Sequence, residues 1–345
     1  MWSCTPAVDP LPRFDSLRAV KAILVEKSDD GPSLRLGDAP QPPLEPGCVR
    51  LRVAAAGVNR ADLMQAAGLY PPPPGASEIL GLECAGDVLE VGDGVVGWSQ
   101  GDRAMALLSG GGYAEEVVVD AGSLLPVPAR LSLEQAAALP EVFLTVFLNV
   151  FQLAALPEGG WLLAHGGGSG IGTAAIQLVK RAGGSSLVTA GSEEKCQRCL
   201  ALGADVAVNY READFAAACR EATADRGVDV VLDHIGGSYL QQNLASLATG
   251  GRLVIIGLMG GARAEIGLGR LLMQRLSVIG STLRARPSQE KATLVRAFQE
   301  RFGAALEQGE IAPVVDRVLP LAEAEQAHAA MAASQHFGKI VLRVA

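Results

Sequence analysis

The chain has 345 residues, of which 49% are hydrophobic and 19% charged, and this composition predicts a folded protein with a large core, most simply in two domains. A net charge of −8 without a long basic run disfavours nucleic-acid binding. No apolar run reaches the roughly 18 residues of a membrane span. Residues 1–17 lack the blocks of a signal peptide and are predicted to be an extension. Six scattered cysteines are typical of reduced thiols, so we expect a cytoplasmic protein.

Residues 18–139 are predicted to form a mostly β domain. Alternating apolar residues between Gly-rich turns predict strands at 19–26, 48–57, 85–91 and 114–119. A Pro-rich turn that contains Pro40, Pro42, Pro43 and Pro46 is predicted between the first two strands. Four consecutive prolines at 71–74 exclude a helix or a central strand there, so we expect a stiff surface loop.

Residues 140–285 show a different pattern, in which apolar runs alternate with helical stretches. The predicted strands are 161–164, 186–189, 206–209, 229–233, 252–256 and 277–280. Apolar strands that alternate with helices indicate a parallel sheet covered on both faces, and six of them match a doubly wound, dinucleotide-binding Rossmann domain. The predicted fold class is therefore α/β. Residues 286–345 mix helix and strand, and their last strand is expected to return to the first domain.

A glycine-rich loop follows the first strand of the predicted Rossmann domain. Residues 165–172 read HGGGSGIG, and a helix is predicted to begin at Thr173. Glycines in this context allow a tight turn and a close approach of the backbone to a pyrophosphate, which then meets the positive end of the helix dipole. Ser169 replaces the middle glycine of the G-x-G-x-x-G pattern, so the prediction depends on the surrounding strand–turn–helix order.

The end of the second Rossmann strand indicates which nicotinamide cofactor is used. NAD enzymes place an acid there to bind the ribose 2′-hydroxyl, whereas this strand ends in TAGS at 189–192. Ser192 can donate a hydrogen bond and Lys195 a charge to a 2′-phosphate, which favours NADPH. Glu193 and Glu194 would oppose a phosphate, but acids are also favourable in the first turn of a helix.

Residues 79–86, ILGLECAG, are similar to the signature of medium-chain alcohol dehydrogenases, which have a metal-binding histidine between the glycine and the glutamate. That position is Leu82, and leucine has no lone pair for zinc. Further matching segments are VNRADLMQ (58–65), PPPGAS (72–77), TAAIQ (173–177), VTAGS (188–192) and GLMGG (257–261). On these segments the chain resembles zinc-independent quinone oxidoreductases of the medium-chain dehydrogenase/reductase superfamily, in the stress-inducible branch related to zeta-crystallin.

The resemblance implies a GroES-like catalytic domain, bound NADPH and no metal. Asn59 stands where zinc-dependent relatives carry a ligand cysteine, and residues 139–141 lack a third ligand. Asn59 and Tyr70 are implied as the catalytic residues that line the nicotinamide and acceptor pocket. The residues implied to bind the cofactor are Tyr70, Ser169, Gly170, Ile171, Gly172, Gly191, Ser192, Lys195, Tyr210, Gly236, Gly257, Leu258, Met259, Ile279, Thr282 and Leu283.

Several of these residues also have purely structural interpretations. Asn59 is a good N-cap for a helix that starts at Arg60, and Asp62 would suit the first turn of that helix. Tyr70 would serve equally as an anchor of the proline loop. Glu141 is a further polar candidate for which a pocket role and a helix-cap role both remain open.

Histidine and cysteine side chains are predicted to be structural. His165 and His234 flank the cofactor site without a clustered partner, so no catalytic dyad is indicated. Cys196-x-x-Cys199 falls about one turn inside a predicted helix, whereas redox pairs usually sit at a helix N-terminus. We therefore expect two packing or surface thiols.

The predicted activity is transfer of a hydride, or of single electrons, from NADPH to a quinone without zinc. The protein would mainly position the two rings, because the reduced quinone oxygens take protons from water. An NADPH-dependent alkenal or enoyl reductase is the alternative enzyme, with Tyr70 as proton donor. A crystallin-like or RNA-associated NADPH-binding protein is the alternative without catalysis. The resemblance also implies a homodimer, with 277–282 as the candidate edge strand.

Overall fold

β-Structure dominates the first third of the chain. The computed structural model describes residues 18–28 and 31–344, so the extension predicted at 1–17 lies outside the described residues. The first strands are β1 (Ala19–Ser28), β2 (Gly31–Pro40), β3 (Cys48–Gly57), β4 (Glu83–Val91), β5 (Arg103–Leu107), β6 (Glu116–Asp120) and β7 (Leu124–Pro126). Most residues of β3 are buried and only Arg52 is exposed, so this central strand lies largely inside the domain.

The Pro-rich turn predicted between the first two strands lies between β2 and β3, but the strand β2 that precedes it was not predicted. β2 pairs antiparallel with β1 from Ala19↔Pro40 to Ser28↔Gly31. Pro40 ends β2, and the remaining prolines follow it in the connection to β3. Residues 31–40 carry few apolar side chains and are mostly exposed or partly exposed, so this two-stranded sheet leaves little hydrophobic signal in the sequence.

The end of the chain returns to the first sheet, as expected from the terminal apolar run. The last two strands are β14 (Val315–Pro320) and β15 (Lys339–Arg343). The strand order is β14-β15-β3-β4-β5-β7, and β6 pairs with β3. Val341 of β15 pairs antiparallel with Gly57 of β3, so Lys339 comes to lie beside the residues that follow β3.

A second sheet contains all six strands predicted for the Rossmann domain. These are β8 (Trp161–Ala164), β9 (Ser185–Ala190), β10 (Val206–Asn209), β11 (Val228–Asp233), β12 (Leu247–Ile255) and β13 (Ser277–Gly280). Their order is β10-β9-β8-β11-β12-β13, and every pair is parallel. Consecutive residues Leu162 and Leu163 are both fully buried, as a strand covered on both faces requires. The predicted doubly wound α/β fold is confirmed.

Helices cover this sheet and link the two sheets. They are α1 (Arg60–Ala66), α2 (Leu133–Ala136), α3 (Pro140–Val146), α4 (Gly170–Arg181), α5 (Glu193–Leu202), α6 (Phe215–Ala222), α7 (Leu240–Ser246), α8 (Leu268–Gln274), α9 (Ser288–Gln308) and α10 (Ala324–Ala332). A π-helical segment, Phe147–Leu153, extends α3. Phe147 packs edge-to-face on Phe298 and Phe302 of α9, with ring centroids 5.6 and 5.9 Å apart. These contacts fix α3, and hence Glu141, against the long helix.

One stretch corrects the expectation about apolar run lengths. The most apolar window of Leu133–Leu153 has a mean hydropathy of 1.6, and the stretch is long and apolar enough to cross a membrane by length and composition alone. Its most apolar window is 78% buried inside the fold. Because its aromatic side chains pack against α9, this burial is that of a core helix.

Candidate active site

The glycine-rich loop connects β8 to α4, which begins at Gly170, three residues before the expected start. Ser169 is the N-cap, and its Oγ accepts a hydrogen bond from the Gly172 N–H at 3.1 Å. This role accounts for a serine at the middle position of the motif, because serine caps a helix well. A Cβ on Gly172 would lie 2.4 Å from the Gly166 carbonyl oxygen, so no larger residue fits where the helix crosses the loop.

The N-terminus of α4 is suited to an anion. The helix has twelve residues and no acid in its first turn, so its positive end is not neutralised by its own side chains. Ile171 is only partly buried there. Backbone N–H groups at such an end bind phosphate readily, and the residues present fit the pyrophosphate of a dinucleotide.

The residues predicted at the ribose end lie together. Ser192 caps α5, with its Oγ accepting from the Lys195 N–H at 3.3 Å. Tyr210, which is 42% exposed, follows β10, and its N–H donates to Ala190 at the end of β9. A Cβ on Gly191 would lie 3.0 Å from the Tyr210 hydroxyl, so Gly191 leaves room for that side chain.

Lys195 is held closer to the glycine loop than a free surface lysine would be. Its Nζ donates to the carbonyl oxygens of Ser334 at 2.7 Å and His336 at 2.8 Å. A Cβ on Gly168 would lie 3.3 Å from Lys195 Cδ, so the lysine stem runs past this glycine. Burial lowers the pKa of Lys195. The sequence did not indicate residues 334–336, because a backbone carbonyl that positions a lysine has no residue-type signature.

The nicotinamide-end residues gather at the carboxyl ends of the last Rossmann strands, where ligands of doubly wound sheets bind. Gly236 follows β11 with a φ of +82° and packs against Leu258. Leu258 and Met259 follow Gly257 after β12, and each is 55% exposed. The predicted loop begins inside β13 at Ile279 and continues through Thr282 to Leu283, which is buried.

On the other side of the glycine loop, a buried ammonium group joins Asn59 to Glu83. Lys339 Nζ lies 2.5 Å from Asn59 Oδ1, 2.6 Å from Glu83 Oε1 and 2.7 Å from the Val58 carbonyl oxygen. Asn59 Nδ2 donates to the same Glu83 oxygen at 2.9 Å. Side chains of Lys339 and Glu83 are 3% and 0% exposed. We call these three residues, Asn59, Glu83 and Lys339, the Lys339 cluster.

The Lys339 cluster stands where the family resemblance led us to look for metal ligands. Asn59 and Glu83 offer oxygen atoms to an ammonium ion, and Leu82 is buried in the core. Across residues 18–28 and 31–344, there is no group of three His, Cys, Asp or Glu side chains arranged to hold a metal. The positive charge at this place is supplied by the chain itself.

Asp62 does more than occupy a first helical turn. It is fully buried, and its carboxylate accepts from the Asn59 N–H at 2.8 Å, the Gly81 N–H at 3.1 Å and the Tyr113 hydroxyl at 3.2 Å. Burial raises its pKa to about 6, although these bonds oppose the rise. The predicted helix start at Arg60 is confirmed, but the Asn59 amide points into the Lys339 cluster. Asp62 thus locks Asn59 in place through its backbone.

Tyr70 is anchored by an arginine from the end of the Rossmann domain. The Arg284 guanidinium lies 5.3 Å from the centre of the Tyr70 ring and donates to the Tyr70 carbonyl oxygen at 3.3 Å. It also donates to Gln65 Oε1 at 2.6 Å and to the Ser109 carbonyl oxygen at 2.9 Å. The Tyr70 hydroxyl has no hydrogen-bond partner among the described residues. Tyr70 therefore anchors the proline loop through its carbonyl oxygen and ring, and its hydroxyl stays available to a ligand.

Glu141 contacts the Lys339 cluster and is close enough to Tyr70 for its charge to raise the pKa of the tyrosine. As the second residue of α3, it donates its N–H to Glu83 Oε2 at 2.9 Å. Its own Oε2 atom is buried without a hydrogen-bond partner within the described structure. Burial raises the pKa of Glu141 to about 8, and the nearby Glu83 charge adds to the rise. Glu141 is therefore not a helix cap, because its carboxyl makes no hydrogen bond to the backbone of the described residues, and its backbone N–H is held by Glu83.

The histidine and cysteine predictions agree with the geometry. His165 is buried and lies 2.7 Å from Asn243 Oδ1 through Nε2 and 3.1 Å from Thr189 Oγ1 through Nδ1. Burial lowers its pKa to about 3, and that of His234 to about 4. Cys196 and Cys199 are buried within α5, and burial raises the pKa of Cys199 to about 12. A thiol with such a pKa is a packing group.

Comparison with known proteins shows a consistent set of relatives. The alcohol dehydrogenase GroES-like domain matches residues 45–129, and the zinc-binding dehydrogenase family matches residues 170–300. Quinone oxidoreductase of Rattus norvegicus is 32% identical over 299 residues, which cover 85% of this chain and 88% of the rat protein. The GroES-like match contains β3 to β7, so the predicted two-part fold is confirmed.

Two further relatives broaden the comparison. A polyketide synthase subunit of Mycobacterium tuberculosis, named for phenolphthiocerol and phthiocerol, is 32% identical over 86% of this chain, which spans 13% of that protein. A solved mycobacterial structure complexed with NADPH is 30% identical, has a TM-score of 0.82, and is matched over 94% of this chain and 100% of that chain. The relatives thus include both a quinone oxidoreductase and a segment of a polyketide synthase.

Proposed function

The chain belongs to the medium-chain dehydrogenase/reductase superfamily, whose members here include quinone oxidoreductases, and we propose that it reduces quinones with NADPH and without zinc. NADPH would supply the hydride. One observation carries the proposal. A loop and helix N-terminus suited to a dinucleotide, at Ser169 and α4, occur together with a buried cluster in which Lys339 supplies the positive charge.

The preference for NADPH is supported by the ribose end of the site. The strand end at Ala190 carries no acid for a 2′-hydroxyl. Ser192 follows Gly191 and caps α5, the Tyr210 hydroxyl lies beside Gly191, and Lys195 stands in the first turn of α5 with its ammonium on the Ser334 and His336 carbonyl oxygens. These groups suit a 2′-phosphate, since a charge-assisted hydrogen bond to phosphate is stronger than a neutral one.

Independence from zinc is supported by the charge of the Lys339 cluster. Lys339 Nζ already holds one oxygen each of Asn59, Glu83 and Val58 within 2.7 Å. A divalent cation placed among the same oxygens would be repelled by the ammonium, because two positive charges a few ångströms apart in a buried site interact strongly. Asn59 has both amide hydrogens directed at Glu83 and Gly57, so it positions the pocket wall more than it donates to an acceptor.

The reaction demands little proton chemistry when a quinone is the acceptor. Its reduced oxygens take protons from water, so the chain mainly orients two rings and excludes bulk solvent. Arg284 holds Tyr70 through its ring and its carbonyl oxygen, so the ring and hydroxyl of Tyr70 can contact an acceptor. Reduction by single electrons uses the same arrangement.

Reduction of an activated C=C bond is the second candidate, favoured by the free carboxyl of Glu141 and by the polyketide synthase relative.

The test of both is oxidation of NADPH, followed at 340 nm, with a panel of quinones, enals and enoyl thioesters. Turnover of quinones supports the first proposal. Binding of NADPH without turnover of any acceptor would contradict both and favour a non-catalytic NADPH-binding protein.

We also propose a cytoplasmic homodimer joined at the edge of the Rossmann sheet. β13 is the edge strand, and the neighbouring α8 exposes Leu268, Leu272 and Met273 by 69%, 77% and 77%. Large apolar side chains grouped beside an unpaired edge mark an interaction surface. Light scattering that gives the mass of one chain would contradict the dimer.

A further inference from the structure

Most polar groups on the acceptor side of the site already have their hydrogen bonds. Lys339 and Asn59 are engaged within the Lys339 cluster, and Glu83 accepts through both oxygens, one of them from the Glu141 N–H. Asp62 also accepts through both of its oxygens. A group whose bonds are already made inside the protein is poorly placed to transfer a proton to a bound molecule.

Two side chains of this region differ, namely Tyr70 and Glu141. Neither the Tyr70 hydroxyl nor the Glu141 carboxyl makes a hydrogen bond within the described part of the chain. Glu141 Oε2 is completely buried, whereas the residue as a whole is partly exposed. Buried polar atoms are nearly always paired, so an unpaired carboxyl oxygen beside the Lys339 cluster points to a partner that is not part of the protein.

The rigidity of its surroundings keeps Glu141 in this position. Pro140 begins α3, the Glu141 N–H is held by Glu83, and the helix is packed against α9 through Phe143 and Phe298. A residue fixed by its backbone, with a free carboxyl, is arranged to present that carboxyl to a ligand.

We propose that Glu141 is the acid of this site and that it extends the reaction to the C=C bond of α,β-unsaturated carbonyl compounds. The proposal rests on the NADPH-dependent reduction proposed above. The β-carbon accepts the hydride that NADPH supplies, and the π electrons of the C=C bond move toward the carbonyl group. The α-carbon then takes the proton of the Glu141 carboxyl. The products are the saturated carbonyl compound, NADP⁺ and the Glu141 carboxylate, which regains a proton from water.

The charges around Glu141 favour its protonated form at neutral pH. Burial is the largest cause of its raised pKa of about 8, and the carboxylates of Glu83 and Asp62 add to it. Lys339 and Lys291 act in the opposite direction without cancelling the rise. An acid is most effective when its pKa lies near the working pH.

Tyr70 is less suited to this step. Burial and the charge of Glu141 raise the pKa of Tyr70 above its ordinary value of 10, and Arg284 only partly opposes the rise. A phenol with a raised pKa releases its proton less readily than a carboxyl with a pKa of about 8. Tyr70 therefore orients the acceptor, and Glu141 supplies the proton.

The experiment compares Glu141→Gln with the wild type on trans-2-hexenal and on 1,4-benzoquinone, both with NADPH. Glu158→Gln, a change at an exposed glutamate in the turn before β8, is the matched control. We expect Glu141→Gln to lower enal reduction by about 10²–10⁴-fold, the usual contribution of a placed acid, and quinone reduction far less. In the wild type, enal reduction should fall as the pH rises through about 8, and Glu141→Gln should lose this dependence.

A second measurement does not need turnover. Carboxyl ¹³C NMR of the wild-type protein without cofactor should show one glutamate, absent in Glu141→Gln, that titrates near pH 8. The proposal is overturned if this signal titrates near 4.5, if Glu141→Gln keeps its enal rate and pH profile, or if the wild type reduces quinones but no enal. If the wild type reduces neither acceptor, the proposed function fails, and the titration still decides whether Glu141 is a neutral acid.

Discussion

Replacing Lys339 by methionine should destabilise the protein strongly, because it would leave a charge buried without its partner. The Glu83 side chain is 0% exposed, and its Oε1 atom lies 2.6 Å from Lys339 Nζ. Methionine fills a similar volume but offers no donor to Glu83, Asn59 or the Val58 carbonyl oxygen. Removal of one partner from a buried ion pair costs about 3–5 kcal/mol. We expect a loss of this size in the free energy of unfolding.

Urea unfolding at neutral pH measures the loss, with Lys21→Met as the control. Lys21 forms an ion pair of 2.8 Å with Asp38, but both side chains are at least half exposed, so its removal should cost only about 0–1 kcal/mol. Adding Glu83→Gln to Lys339→Met should recover much of the loss, because the buried group is then neutral and still accepts from Asn59 Nδ2. The reasoning is refuted if Lys339→Met costs no more than Lys21→Met, or if the double variant is less stable than Lys339→Met alone.

Three other predictions concern the cofactor, the acceptor and the metal. Lys195→Ala should weaken NADPH binding by about 1–3 kcal/mol and leave NADH nearly unchanged, as measured by fluorescence titration; equal losses for both would show that Lys195 does not bind the 2′-phosphate. Tyr70→Phe should slow enal and quinone reduction by less than tenfold, on the order of one lost hydrogen bond, and Tyr70→Ala should slow both more. A loss specific to enals in Tyr70→Phe would assign the proton to the tyrosine. Elemental analysis should find no stoichiometric zinc, and chelators should leave activity intact; loss of activity on chelation would contradict the role of Lys339.

The Rossmann sheet could be predicted almost completely, because its signals are local. Each of its strands is an apolar run bounded by turn residues, and 161–164 and 277–280 coincide with the observed strands. β2 could not be predicted, since its hairpin with β1 buries few side chains and the prolines at its end read as a turn. The membrane-length apolar stretch at Leu133–Leu153 was missed because acidic residues interrupt it, although it is helical over most of its length.

The grouping of the residues predicted to bind the cofactor also follows from the sequence. Ser169, Gly191 and Tyr210 follow strands whose order dictates that their ends meet at one edge of the sheet. The carbonyl groups of Ser334 and His336 around Lys195 were not accessible, because they come from a connection about 140 residues away. A backbone oxygen can belong to any residue type, so only the fold reveals it.

On the acceptor side, the absence of zinc ligands makes a positive side chain necessary. Leu82 and Asn59 stand at positions where zinc ligands were expected, but Glu83 is still present and fully buried, and a buried carboxylate requires a compensating positive charge. A lysine in a strand that is otherwise apolar enough to be buried can meet this requirement. Lys339 is such a residue, because it begins the terminal segment KIVLR. The pairing of β15 with β3 then brings this lysine to Asn59 across about 280 residues of sequence. With the cation supplied by the chain, Glu141 has the one buried carboxyl that lacks a partner at the site among residues 18–28 and 31–344, and this is why the proton chemistry is assigned to it.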